Sequence, residues 1–306
     1  MSDVLSDILY RMRLRAVVYF EREFRAPWAM RLEGTGFAQF HVITSGAAVV
    51  EANGRVLELD TGDILCFPRG LAHTVADRAG RQATAGPEFM ASLAQGRPLF
   101  TTGHRPIRMI CGHFDYRSDL PHPLIADLPD IIHLRRADLT GSRDAGPVLA
   151  LILHEFAADQ PGASAHIERL AEVLMIQVLR AHFSRAGPKP GFYAGLRDER
   201  IGRAILLVHR KYPDNLNLAD LAGAAAMSRS AFSEKFTATL GISPIEYLQR
   251  WRMIVAQDLL QSGAEPVSSI AAAVGYGSDI AFSRAFKRCF GKSPSQAREG
   301  HASDAA

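Results

Sequence analysis

The sequence predicts an α+β multidomain protein with an N-terminal β-barrel, linking helices and a C-terminal all-α domain of two helix-turn-helix units. Three observations predict it. The first half of the chain is made of short β-branched or aromatic runs cut by Gly, Pro and Asn; the apolar period lengthens to a helical one from about Pro147; and a segment near the C-terminus repeats itself. A length of 306 residues, 47% of them hydrophobic, can supply more than one core.

In the first half, VVYFERE, PWAMRL, AQFHVITSG, AAVVEANGRVLEL, GDILCFP and IRMICGHF read as strands. Asn53-Gly54 lies between two such runs and signals a tight hairpin, whose central residues must both tolerate positive φ. Strands this short and closely spaced suggest a sandwich or a small barrel. Ahead of them, Val4, Leu5, Ile8, Leu9 and Met12 have helical spacing and are expected to pack on the outside of that barrel. The stretch from about Ala79 to Pro106, rich in Gly, Ala, Gln and Pro, has no sustained period and reads as a long loop or lid.

Further on, Val148, Leu149, Ile152 and Phe156, then Ile167, Leu170, Leu174, Ile176 and Leu179, mark two amphipathic helices within residues 145–185. The second is apolar on more than one face, with Val173 and Val178 added, and so calls for a partner. A second chain, giving a homodimer, is the expected one; a packing layer over the barrel is the alternative. Gly187-Pro188-Lys189-Pro190-Gly191 then marks a linker, residues 186–196.

No run of eighteen apolar residues occurs, and the N-terminal MSDVLSDILYRMRLR lacks an apolar core with a small-residue cleavage site. The cytoplasm is the expected location, with no membrane partner. Cys66, Cys111 and Cys289 are too scattered for a disulfide framework or a CxxC metal knuckle, which suits a reducing compartment. Residues 197–300 carry 14 Lys and Arg against 10 Asp and Glu. An excess of that size is compatible with ordinary surface and does not by itself mark a nucleic-acid partner. No Ser-His-Asp order, phosphate-cradling Gly loop or HExxH helix argues for catalysis.

The repeat is more informative. Leu218 to Pro244 matches Val267 to Pro294, with one extra residue in the second copy: Leu221 with Ile270, Ser228 with Ser278, Phe232 with Phe282, Phe236 with Phe286, and Gly241-Ile242-Ser243-Pro244 with Gly291-Lys292-Ser293-Pro294. Each copy has an Ala-rich helix, a break, and a second helix opening at a Ser suited to an N-cap. The Phe pairs, four apart, anchor the inner face of that second helix. Its outer face then presents Arg229, Ser230, Ser233 and Glu234 in copy one, and Ile280, Ser283, Arg284 and Lys287, followed by Arg288, in copy two. Such side chains can contact base edges and phosphates. One such pattern would be equally consistent with a bundle that binds nothing. Two copies joined by a helix over Ile245–Gln261, roughly 25 Å long at 1.5 Å per residue, favour recognition helices set into successive segments of the major groove.

Trp251-Arg252-Met253, Gly275-Tyr276, Phe282-Ser283-Arg284-Ala285-Phe286 and Ser293-Pro294 resemble the AraC/XylS family of transcriptional regulators, over a DNA-binding domain at residues 197–300. The resemblance implies that the second helix of each unit reads the major groove, through Ser230, Ser233 and Glu234 and through Ile280, Ser283 and Arg284. It also implies promoter DNA and RNA polymerase as partners and activation as the output, with repression left open. Glu234 departs from more basic relatives. A carboxylate repels phosphate and suits only a cytosine N4 donor, so copy two is expected to carry more of the affinity.

Gly62 to His73, GDILCFPRGLAH, with Asp77 four residues on, resembles the second sequence motif of cupin barrels. The first cupin motif is incomplete: FAQFHVITSG supplies only His41, where metal-binding cupins offer a His-x-His pair and a Glu. With MICGHF further on, residues 1–135 resemble the cupin-type sensing domain carried by a subset of the same regulators. Two readings of His41 and His73 stay open. In one they face into the barrel with Cys111, and with His113 as a further candidate, forming an N/S site for zinc or another transition metal, or a polar end for an organic effector. In the other they are hydrogen-bonded core histidines. Cys111 is also a candidate redox-sensitive thiol. The expected function is therefore a sequence-specific transcriptional regulator controlled through its cupin-like domain by a small molecule, metal or redox signal. A cupin-type metal-dependent enzyme fused to a DNA-binding domain, and a purely architectural DNA binder, are the alternatives.

Overall fold

The structure, a computed structural model, describes residues 4–12, 14–115, 123–139, 145–158, 160–185, 190–263 and 265–298. By their contacts, described residues within 14–116 and 128–186 form one unit; those within 1–13, 117–127 and 187–306 form another.

Helix α1 (Val4–Met12) precedes the strands β1 (Arg15–Ala26), β2 (Ala29–Leu32), β3 (Ala38–Ser45), β4 (Ala47–Ala52), β5 (Arg55–Asp60), β6 (Ile64–Phe67), β7 (His73–Ala76) and β8 (Thr84–Ala85). Helix α2 (Gly86–Ala94) leads to β9 (His104–Asp115), and the short α3 (Pro123–Ala126) to β10 (Ile132–Leu134). Two five-stranded sheets result, in the orders β1-β9-β3-β6-β10 and β5-β4-β7-β2-β8, antiparallel except where β8 joins β2. Alternate side chains of both sheets meet in one core that includes Phe20, Phe24, Ile43, Val50, Leu65, Phe67, Val75 and Met109. The β4–β5 hairpin turns at Asn53 and Gly54, with φ of 49° and 70°, as the Asn-Gly signal predicts.

The Ala79–Pro106 stretch is not the long loop its composition suggests. It adds β8 to the second sheet and then forms α2, whose Phe89 is buried against Phe20, Phe24 and Phe100. Pro87 in the first turn and Gly96 just past the end are ordinary start and stop signals; one deep anchor in nine residues is too few for a visible period.

Helices α4 (Arg136–Leu139), α5 (Ala145–Ala158) and α6 (Ala163–Arg185) complete this unit. Helix α6 packs on α5, β1 and β10, burying Leu174, Val178 and Leu179. Helix α5 and the barrel strands β1 and β10 are thus its partners within the chain. Val173 of α6 and Leu151 of α5 stay exposed.

The other unit is helical: α7 (Phe192–Arg197), α8 (Glu199–Lys211), α9 (Leu218–Ala224), α10 (Arg229–Leu240), α11 (Pro244–Ser262), α12 (Val267–Ala273) and α13 (Asp279–Phe290). Of the expected linker, residues 186–189 lie outside the described set, and from Phe192 the chain is already in α7. Helix α11 is the long spacer, with Tyr247, Leu248, Trp251, Met253, Val255 and Ala256 all buried. His209 of α8 stacks on Trp251 at 3.8 Å and hydrogen-bonds the Tyr247 hydroxyl at 2.7 Å, which seats α8 on α11. Helix α1 belongs here too. Its spacing suggests the outside of the barrel, but it packs on α8 and α11 with Val4 and Ile8 buried. Amphipathic spacing tells which face is apolar, not which surface covers it.

Candidate functional site

The two helix-turn-helix units, α9–α10 and α12–α13, are built by the same local devices. Ser228 Oγ accepts from Ala231 N at 3.4 Å and Ser278 Oγ from Ala281 N at 3.5 Å, each satisfying an orphan amide at the start of the second helix. Gly241 and Gly291, at φ of 75° and 72°, close those helices in left-handed C-caps. Phe232 with Phe236 and Phe282 with Phe286 fill the inner faces, ring centroids 5.5 and 5.8 Å apart. The break before each second helix also needs a left-handed residue. Copy two supplies Gly275 at φ 81°; copy one uses Ala226 at φ 51°.

With the inner faces committed to packing, the outer faces are set. Arg229, Ser230 and Glu234 of α10 are exposed and Ser233 is half-buried. On α13, Ile280 is 66% exposed, Arg284, Lys287 and Arg288 are exposed, and Ser283 is half-buried. The structure therefore brings each set onto one helix face. Exposed Thr237 and Ala238 are the copy-one counterparts of Lys287 and Arg288, neutral where copy two is basic; only the alignment of the two repeats marks them. Lys235 adds little to the α10 face, because it is ion-paired at 2.5 Å with Asp198, the N-cap of α8.

In the barrel the candidate residues form a string rather than a cluster. His41 on β3 and Cys111 on β9 are register partners, and His73 opens β7 in the facing sheet. His41 Nδ1 lies 3.0 Å from Cys111 Sγ, and its Nε2 lies 2.7 Å from His73 Nε2. His73 Nδ1 lies 2.7 Å from the Leu71 carbonyl. Burial lowers both imidazoles, His73 to about 4 and His41 well below its ordinary value, so both are neutral near pH 7. The carbonyl can only accept, so His73 Nδ1–H donates to it and His73 Nε2 accepts. His41 Nε2–H is then the donor to His73, and His41 Nδ1 accepts the Cys111 S–H. Burial raises the Cys111 thiol, which keeps it in the protonated form this chain requires.

The arrangement does not suit a metal. His41 spends its two nitrogens on partners at opposite ends of the ring, and among the described residues no three His, Cys, Asp or Glu side chains are grouped to hold an ion. His113, two residues beyond Cys111 on the same face of β9, does not join the string. It hydrogen-bonds the Tyr19 hydroxyl at 2.7 Å and packs on Phe37 at 4.6 Å, in an exposed aromatic patch. Asp77 of the cupin-like motif is structural: it accepts from Trp28 N at 3.3 Å and pairs with Arg81. Gly70 in the same motif is obligatory, since at φ 64° a Cβ would lie 2.1 Å from the Thr35 carbonyl. His73 also borders a cleft of about 340 Å³ lined by Arg31, Glu51, Arg55 and Thr74.

A sheet barrel that buries a short run of His and Cys in an apolar core, carried in one chain with a duplicated helix-turn-helix unit, defines a two-part DNA-binding regulator. Residues 3–184 match the family described as cupin, and residues 221–300 the family described as helix-turn-helix domain. A putative AraC-like transcription regulator of Streptomyces antibioticus is 30% identical, over 97% of this chain and 98% of its own. A second from Streptomyces lividans is 31% identical over the same shares, 97% and 98%. The chain belongs to the AraC-like transcription regulators. Among solved structures, the C-terminal domain of the response regulator AraT from Geobacillus stearothermophilus is 34% identical over 34% of this chain and 86% of that one, with a TM-score of 0.33. Among the described residues no helix is long and apolar enough to cross a membrane.

Proposed function

We propose that the chain binds a specific promoter sequence through the outer faces of α10 and α13 and acts there as an activator that contacts RNA polymerase. The observation that carries this is the duplication: matching caps and Phe anchors hold two second helices whose outward side chains are mostly exposed. Arg229, Ser230, Ser233 and Glu234 read one half of the site, and Ile280, Ser283, Arg284, Lys287 and Arg288 the other. Residues 197–300 do the reading and residues 1–135 the sensing. An effector occupies the cleft beside His73, where Arg31, Arg55 and Thr74 offer donors to a small polar molecule. The barrel has no catalytic role, since its candidate side chains are neutral and hydrogen-bonded to one another. Residues 145–185 join two chains, with the exposed Leu151 and Val173 as apolar side chains available to that contact.

Selection of bound sequences from a random DNA pool by the full chain tests the reading. A two-part motif is the expected product. Binding to bulk DNA as tight as to any selected sequence, at fixed salt, would leave only an architectural binder.

A further inference from the structure

Two helix-turn-helix units joined by one helix could pivot about it; in this chain a second connection ties them. Arg252 projects from α11 and donates from Nε to the Tyr212 carbonyl at 2.7 Å and from Nη2 to the Asp214 carbonyl at 2.8 Å. Tyr212 to Asp214 is the segment that leaves α8 and leads through the Asn217 cap into α9, the first helix of copy one. The same guanidinium sits 5.8 Å from the ring centroid of Tyr276, which belongs to the turn of copy two and packs edge-on against Phe282 at the start of α13. Next to it, Gly275 presses on that segment so closely that a Cβ would lie 2.5 Å from the Pro213 carbonyl and 2.9 Å from Arg252 Nη2.

One side chain thus touches the spacer helix, the entry to the first unit and the turn of the second. The chemistry calls for arginine. Its planar fork offers donors in two directions at once, and its cationic face suits the aromatic ring, whereas a lysine ammonium is a point charge that cannot span both carbonyls in that plane. We infer that Arg252 is a positioning residue that fixes the separation and phase of the two recognition helices, and so dictates the spacing of the two half-sites on DNA. This rests on the reading that both units contact DNA.

The test uses the full chain and a sequence selected by it, with the two halves at their selected separation, with one or two base pairs inserted between them, and with each half alone. Each inserted pair turns one half about the duplex axis and moves it along the groove. The wild-type chain is expected to lose about tenfold or more in affinity per insertion. Arg252→Ala and the milder Arg252→Lys, which keeps the alkyl stem, are expected to lose about threefold or less on insertion while binding isolated halves as the wild type does. Variants that keep the full insertion penalty overturn the inference. So do variants whose affinity for isolated halves falls as far as for the whole site, because that marks a general structural role. A wild-type chain indifferent to insertion would instead sink the two-unit reading, and the inference with it.

Discussion

His41 and His73 share one proton across 2.7 Å, and the proton belongs to His41. A second proton on either ring would place a charge in the buried run from Cys111 to Leu71, and burial disfavours it. Unfolding frees both histidines to titrate near their ordinary 6.5. Between pH 6.5 and about 4, the folded value for His73, the unfolded chain binds more protons than the folded one. Stability is therefore expected to fall as pH falls through that window, by about 3 kcal/mol for His73. Urea denaturation at pH 7.5, 6 and 5 measures it, and His73→Gln should flatten the slope. An unchanged midpoint across that range would mean that the histidines are not held neutral.

The thiols should divide sharply. Cys66 and Cys111 are buried, with Cys66 pushed up to about 12 and Cys111 further, whereas Cys289 is half-exposed. A disulfide reagent at pH 8 is expected to label Cys289 alone in the native chain and all three thiols in urea. Rapid native labelling of Cys111 would restore it as a redox sensor.

Ala226 holds a left-handed conformation that a side chain resists by about 1 to 2 kcal/mol. Ala226→Gly relieves that strain and loosens the unfolded chain, for a net gain of about 0.5 to 1 kcal/mol. Equilibrium unfolding of the helical unit is the check, and a loss of stability is the contrary result.

Phe89 is the sole deep anchor described on α2, 1% exposed. Phe89→Ala should cost about 3 to 5 kcal/mol, far more than a loop residue would. A cost below about 1 kcal/mol would mean that α2 is dispensable to the barrel.

On α13, Arg284 and Lys287 should behave differently. Arg284→Ala is expected to lose about 1 to 3 kcal/mol on the selected site and to relax preference at one position. Lys287→Ala should weaken all sequences alike and lower the salt slope by about one. Mobility-shift titrations at several salt concentrations separate the two; equal effects on specific and bulk DNA for Arg284→Ala would deny it a base contact.

Much of this was legible in the residues, for identifiable reasons. Asn53-Gly54 marks its hairpin because turn chemistry is local, and Ser228, Ser278 and the Phe pairs mark their helices because caps and i,i+4 contacts are local too. The duplication then turns two weak signals into one strong one. What was not legible depends on contacts far apart in sequence. Whether α1 covers the barrel or α11, whether His113 follows Cys111 inward or meets Tyr19, and that His41 would mediate between Cys111 and His73 are all decided by tertiary packing. Arg252 lies within Trp251-Arg252-Met253, yet its carbonyl partners lie 38 and 40 residues away in the chain and the Tyr276 ring belongs to the second repeat.

The division of labour on α10 and α13 has a practical side. Because caps, turn and inner rings do the folding, positions such as Glu234 and Ile280 are free of folding duty. On the proposed function, the two helices act as exchangeable reading heads on a common mount. A regulator of this build can be retargeted one half at a time, by rewriting a few outward letters while its signal intake and its melting behaviour stay as they were.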